Sequence, residues 1–141
     1  MISIREFRYP DDYLAVRQLW DGMEKGVKAG RSDEPREIEK KIARDPDLFL
    51  VAEDDEKIIG SVIGGYDGRR GLLYHLAIAL DYRKRGVGSQ LLNEVETRLR
   101  NKGCLKCYLM VTLDNPEVER YYEKRGWHLM DYVRPYGKEL R

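Results

Sequence analysis

The sequence predicts a mixed α/β fold in which one central sheet carries helices on both faces. Three observations predict it. Leu72-Leu73-Tyr74-His75-Leu76-Ala77-Ile78-Ala79-Leu80 is a nearly continuous apolar run of strand length without Gly or Pro, and two shorter runs precede it. Between such runs, apolar residues recur at helical spacing, as at Leu91, Leu92, Val95 and Leu99. At 141 residues the chain is long enough for one domain with its own core, residues 1–141, and too short for two.

The elements follow in order. Residues 2–7 alternate as a strand. Tyr9-Pro10-Asp11-Asp12 then supplies a turn and a helix cap ahead of an apolar stripe at Leu14, Val16, Leu19 and Trp20. Residues 26–31 are glycine-rich and basic, and Ser32-Asp33-Glu34-Pro35 opens a second helix whose apolar face is Ile38 and Ile42. Residues 48–52 and 58–66 read as strands joined by the charged turn Asp54-Asp55-Glu56-Lys57, and Tyr66-Asp67-Gly68 starts another hairpin turn. The long apolar run follows, then a helix that stops at Gly103, a strand over 105–112, a helix after Asn115 and a final strand pair. No internal repeat, low-complexity tract or linker interrupts this order.

Chemistry concentrates in the turn Arg83-Lys84-Arg85-Gly86-Val87-Gly88-Ser89, between the end of the apolar run and the start of the helix. A helix N-terminus offers free N–H groups and the positive end of the macrodipole, so it binds anions. Gly86 and Gly88 allow close backbone approach, and three cations precede them. A solvated charge run would explain the same residues. The Walker pattern is excluded because no Gly-Lys-Ser or Gly-Lys-Thr occurs, and the dinucleotide fingerprint because Leu91 stands where its third glycine belongs.

Arg83-x-x-Gly86-x-Gly88 between a strand and a helix resembles the coenzyme A loop of the GNAT N-acetyltransferases. Asn115, followed by Arg120-Tyr121-Tyr122-Glu123-Lys124-Arg125-Gly126-Trp127, is similar to the family's second block, in the right order and at a suitable separation. Residues 47–53, 64–71 and the Gly126-Trp127 segment extend the likeness to a small bacterial YpeA-like branch. The resemblance implies a mostly antiparallel sheet and an acetyl-CoA-dependent N-acetyltransferase that works by direct transfer to a primary amine in a ternary complex. Acetyl-CoA is then a co-substrate, and no metal is implied. The alternative is a catalytically weak acyl-CoA-binding regulatory module.

By the same resemblance, backbone groups of Leu76, Ala77 and Ile78 pair with the pantetheine arm as an added strand would. The pyrophosphate sits against the N–H groups of Arg85, Gly86, Val87, Gly88 and Ser89, and Arg83, Lys84, Asn115 and Tyr122 also bind the coenzyme. Asn115, with Pro116 after it, also reads as a helix cap. Tyr122 is the catalytic candidate, giving a hydrogen bond or proton to the departing sulfur; Tyr121 and Tyr122 also read as core aromatics. The general base is open: no acid stands near Leu72, and the candidates are a water held by Tyr74 or Tyr66, or the carboxylates of Asp67 or Glu53. Alternation places Leu72, Tyr74, Leu76 and Ile78 on one face, which makes His75 a packing histidine on the other.

The family's acceptor site is framed here by residues 21–34 and 131–136, where Asp21, Glu24, Glu34 and Asp131 would attract an amine and Lys25, Lys28 and Arg31 oppose them. The acceptor is a small-molecule amine or a protein or peptide amine. Many relatives dimerise through terminal strands, so a homodimer is an expectation of the resemblance. The net charge of +1 gives no global reason for nucleic-acid binding. Residues 1–6 hold no signal-length apolar segment and no stretch approaches a membrane span, so a cytoplasmic protein with no membrane partner is expected. Cys104 and Cys107 form a Cys-x-x-Cys without a second pair and read as reduced and incidental.

Overall fold

A computed structural model describes residues 1–141. Five strands lie side by side in chain order: β1 (Ile2–Glu6), β2 (Phe49–Asp54), β3 (Lys57–Tyr66), β4 (Gly71–Ile78) and β5 (Cys107–Leu109). The first three pairings are antiparallel and β4 with β5 is parallel, so the sheet is mixed and mostly antiparallel. The helices are α1 (Tyr13–Asp21), α2 (Pro35–Arg44), α3 (Val87–Asn101) and α4 (Val118–Glu123), with 3₁₀ turns at Arg31–Asp33 and Leu80–Tyr82. Only the parallel pair needs a crossover, and α3 supplies it.

The sheet is buried on both sides, which is why β2 reads as a continuous apolar run. Leu50 and Ala52 point into a cluster with Leu91, Leu92, Val95 and Leu99 of α3. Phe49 and Val51 point the other way, to Val16 and Trp20 of α1 and Ile38 of α2. Pro35 stands in the first turn of α2, as expected.

Several sequence expectations are corrected. Leu14 is solvent-exposed, and the buried stripe of α1 is Val16 and Trp20. Asp12 stands at the N-cap position of α1 but makes no side-chain cap; its carboxylate instead accepts two hydrogen bonds from Arg5, at 2.7 and 3.0 Å, and one from the Arg8 N–H at 2.7 Å. The strand expected over 105–112 shrinks to β5, because Leu105 and Met110 at its ends face solvent. No strand follows α4, so the final strand pair does not form. Pro135 lacks an N–H for a ladder, and Leu129, Tyr132, Tyr136 and Leu140 stay exposed, leaving that segment no buried face to fix a register.

β4 departs furthest from the expected alternation. Ser61 pairs with Ala77 and Ile63 with Tyr74, so two steps along β3 oppose three along β4. His75 lies inside this bulge at φ +49, a left-handed conformation uncommon outside glycine. One extra residue reverses the alternation beyond it. Leu73, Leu76 and Ile78 therefore join the α3 cluster and Ala77 the α1 cluster, in place of the single face expected for Leu72, Tyr74, Leu76 and Ile78.

Candidate active site

The basic turn folds as an open cradle of backbone N–H groups at the mouth of α3. Lys84 and Gly86 both adopt positive φ, +62 and +81, and Gly86 caps the helix without a side chain. None of the backbone N–H groups from Lys84 to Ser89 donates to a backbone carbonyl; the ladder begins with Gln90 N–H to Gly86 O. Consecutive free N–H groups in such a turn form a nest with positive potential. Arg83, Lys84 and Arg85 are exposed around it, with Arg85 stacked 4.6 Å over the Tyr82 ring. The Arg83 side chain turns back to the end of β4, where Nε lies 3.5 Å from Ile78 O.

Two further groups reach this mouth. Tyr121 Oη is buried without a hydrogen-bond partner, and a β-carbon at Gly88 would lie 2.5 Å from it. Arg125 donates from Nε and Nη2 to Ser89 Oγ at 2.8 and 2.7 Å, its guanidinium 3.6 Å from the Tyr121 ring centre. The crowding that forbids a side chain at Gly88, the orphaned hydroxyl and the four cations suit a phosphate-bearing ligand. Arg125, four residues after Tyr121 in the Arg120–Trp127 run, is not among the residues expected at the site from sequence.

Beyond the cradle, β4 and β5 part. Their ladder covers only Gly71, Leu72 and Leu73 against Cys107, Tyr108 and Leu109. The later β4 residues, including Leu76, Ala77 and Ile78, have no β5 partner and leave an opening beside the loop. Tyr122 comes from α4 and packs edge-on against Trp127 and Tyr121, at 6.1 and 5.4 Å. Burial, with Tyr121 adding to it, pushes its phenol up to about 12, so it holds its proton at neutral pH. Asn115 does not cap α4: the N-cap is Glu117, and the Asn115 amide lies where a β-carbon on Gly26 would touch it.

The first half of β4 lines a cavity of about 830 Å³ with Leu72, Tyr74 and His75. Its other walls come from Lys28 and the Gly30–Asp33 turn, from α2 and Asp45 after it, from β3 and the hairpin residues Asp67 and Arg70, and from Tyr108 and Glu139. Asp21, Glu24, Glu34 and Asp131, expected to attract an amine, are not among the lining residues, and residues 131–136 line a separate hollow. Glu53 is also elsewhere, 3.0 Å from Arg5. Asp67 does line the cavity, but the N–H groups of Arg70 and Arg69 bind its carboxylate and hold it below the usual carboxylate range. His75 is more than a packing residue: Nε2 lies 3.0 and 3.1 Å from the two Asp33 oxygens. No sequence signal pairs these residues, 42 positions apart.

Residues 13–127 match the model of the Acetyltransferase (GNAT) family. The chain belongs to that family. An acetyltransferase of Sodalis glossinidius is 42% identical over 139 residues, 99% of this chain and 96% of its own length. The structure of Ard1 from Thermoplasma volcanium superposes with a TM-score of 0.76 at 25% identity, covering 89% of this chain and 81% of that one. The PaiA N-acetyltransferase of Thermoplasma acidophilum, solved with coenzyme A, gives 0.74 at 21% identity over 93% and 92% of the two chains. This GNAT chain is thus an N-acetyltransferase with the family's fold. Its Cys104 and Cys107 are free thiols, and burial pushes Cys107 up to about 11, away from nucleophilic use.

Proposed function

We propose that this chain transfers the acetyl group of acetyl-CoA directly to a primary amine in a ternary complex. The observation that carries the reading is the run of free N–H groups at the mouth of α3, beside a stretch of β4 that has no partner on its β5 side and whose other end lines the large cavity. The coenzyme bound to the Thermoplasma acidophilum neighbour adds support. Lys84 to Ser89, Arg83 and Arg125 bind the phosphates; Leu76, Ala77 and Ile78 offer backbone groups to the pantetheine arm. Acetyl-CoA supplies the activated acyl carbon. Tyr122 attends the sulfur. An ordinary thiol titrates roughly three pH units below a phenol at about 12, so Tyr122 stabilises the departing thiolate as a hydrogen-bond donor and keeps its own proton.

The cavity wall favours an amine that also carries an anionic group. Each lining carboxylate already has a partner: Asp33 has His75, Asp45 has Lys41 and Arg44, Glu139 has Arg31, and Asp67 has backbone N–H groups. Arg70, partly buried, and Lys28 have no carboxylate within 4.0 Å among the ion pairs of the structure. A polycation would meet no free acid here, whereas a carboxylate or phosphate would meet free cations.

Calorimetric titration of acetyl-CoA followed by thiol release with matched amines, each with and without a carboxylate or phosphate, tests both statements. Tyr122→Phe is expected to keep acetyl-CoA affinity and lose turnover by about 10-fold to 1,000-fold. Equal turnover would remove Tyr122 from the chemistry. Binding without release from any amine would favour a weak acyl-CoA-binding module, and no binding would overturn the reading.

A further inference from the structure

We propose that His75, held by Asp33, is the group that takes the proton from the acceptor amine. The inference rests on the transferase reading above and names the base that sequence inspection leaves open. Asp33 is buried in the 3₁₀ turn and is itself fixed. The Gly30 N–H donates to its Oδ2 at 2.8 Å, and the Tyr13 hydroxyl donates to its backbone oxygen at 2.8 Å. Burial alone would raise its carboxyl, but the His75 ring and the Gly30 N–H more than reverse this, so it is held ionised. An ionised carboxylate facing Nε2 selects the tautomer with the proton there. Nδ1 is then the basic nitrogen, and it is the ring nitrogen left for a further partner.

The ring is fixed from its other sides as well. Trp20 packs edge-on at 4.8 Å, and Trp20 Nε1 donates to Ser61 Oγ at 2.9 Å, which in turn donates to the His75 carbonyl at 3.3 Å. A left-handed non-glycine residue in a bulge, tied to a buried acid at the wall of a cavity, is where strain is usually kept for function. Arg17 and Tyr13 lie behind Asp33 on α1, and the cavity the pair lines also carries Lys28, Arg31, Lys41, Arg44, Asp45, Tyr66, Asp67, Arg70, Tyr74, Tyr108 and Glu139. None bonds the ring; Asp33 alone does.

Amines are mostly ammonium at neutral pH, so a proton must leave before nitrogen can attack. His75 Nδ1 accepts that proton and frees the lone pair. The N–C bond then forms at the acetyl carbon, and the C–S bond breaks with its electron pair going to sulfur. Nitrogen loses two protons in all. One ends on sulfur by way of the imidazolium or solvent, and the other is released to solvent. Asp33 is a positioning residue, since it acts through the ring.

The test uses His75→Gly, because glycine accepts φ +49 without strain and leaves a hole of imidazole size. We expect acetyl-CoA affinity within about twofold of the original, turnover reduced by about 100-fold or more, and partial recovery when free imidazole is added. Asp33→Asn is expected to lower turnover by at least about 10-fold and to change the ¹⁵N shifts of the His75 ring, which His128 alone could overlap. Retained turnover in His75→Gly, or a loss that imidazole does not repair while acetyl-CoA still binds, would overturn the assignment. A wild-type chain that binds acetyl-CoA but acetylates no amine would instead defeat the transferase reading; unchanged ring shifts in Asp33→Asn would then still count against the pair.

Discussion

Asp12 shows how far one residue's role can differ from its sequence signature. An aspartate before an apolar stripe reads as a helix cap, yet its carboxylate is turned inward to Arg5, which also meets Glu53 at 3.0 Å. Burial opposes ionisation, but the Arg5 hydrogen bonds, the Arg8 N–H and their charges outweigh it and hold the carboxyl below its usual range. A depressed acid contributes stability that is complete above its unfolded value of about 3.9 and is lost as pH falls through its lower folded value. Asp12→Asn should therefore cost about 2–3 kcal/mol at pH 7, less than for a fully buried pair because Arg5 keeps Glu53. Urea unfolding between pH 7 and pH 2 measures this, and the loss below about pH 4 should flatten in the variant. A variant as stable as the parent at pH 7 would contradict the account. What was legible here was a charged turn; its partner was not, because side-chain pairing across 7 residues leaves no periodic trace.

At the scale of elements, periodicity served well where a segment packs as a regular helix or strand. α3 follows its spacing, with Leu91, Leu92, Val95 and Leu99 all buried, and Gly103 ends it at φ +95. β4 did not follow its spacing, since one bulge residue exchanges the two faces midway. That exchange brings Tyr74 and His75 to the same cavity. Close packing of β3 on α3 offers a separate test. A β-carbon at Gly64 would lie 2.7 Å from Val95 Cγ2 and 3.3 Å from Leu48 O. Gly64→Ala should lower unfolding stability by about 1–3 kcal/mol through overpacking. Val95→Ala in the same chain should recover part of that loss, a coupling that a denaturation cycle of the two single variants and the double variant reads directly.

For the molecule as a whole, charge is balanced in number and uneven in place. The formal net charge is +1, yet Arg83, Lys84, Arg85 and Arg125 gather around the mouth of one helix. Screening shortens from about 10 Å at 0.1 M salt to about 3 Å at 1 M. Acetyl-CoA should thus bind several-fold more weakly across that range, and Arg83→Ala should both weaken binding and reduce its salt dependence. Titrations at several ionic strengths check this, and an affinity independent of salt in both chains would argue against the cradle. No helix is long and apolar enough to cross a membrane.

The sequence by itself determined the mixed α/β class, the order of elements through α4 and the basic, glycine-containing turn that opens α3, because these follow from local spacing, glycine placement and charge. Tertiary structure alone decided the rest. It exchanged the faces of β4, parted β4 from β5, denied the last residues a ladder, and brought Asp33 to His75. Each of those outcomes depends on which surfaces are buried together and on one unpaired residue in a ladder, and neither is written in the periodicity of a single segment.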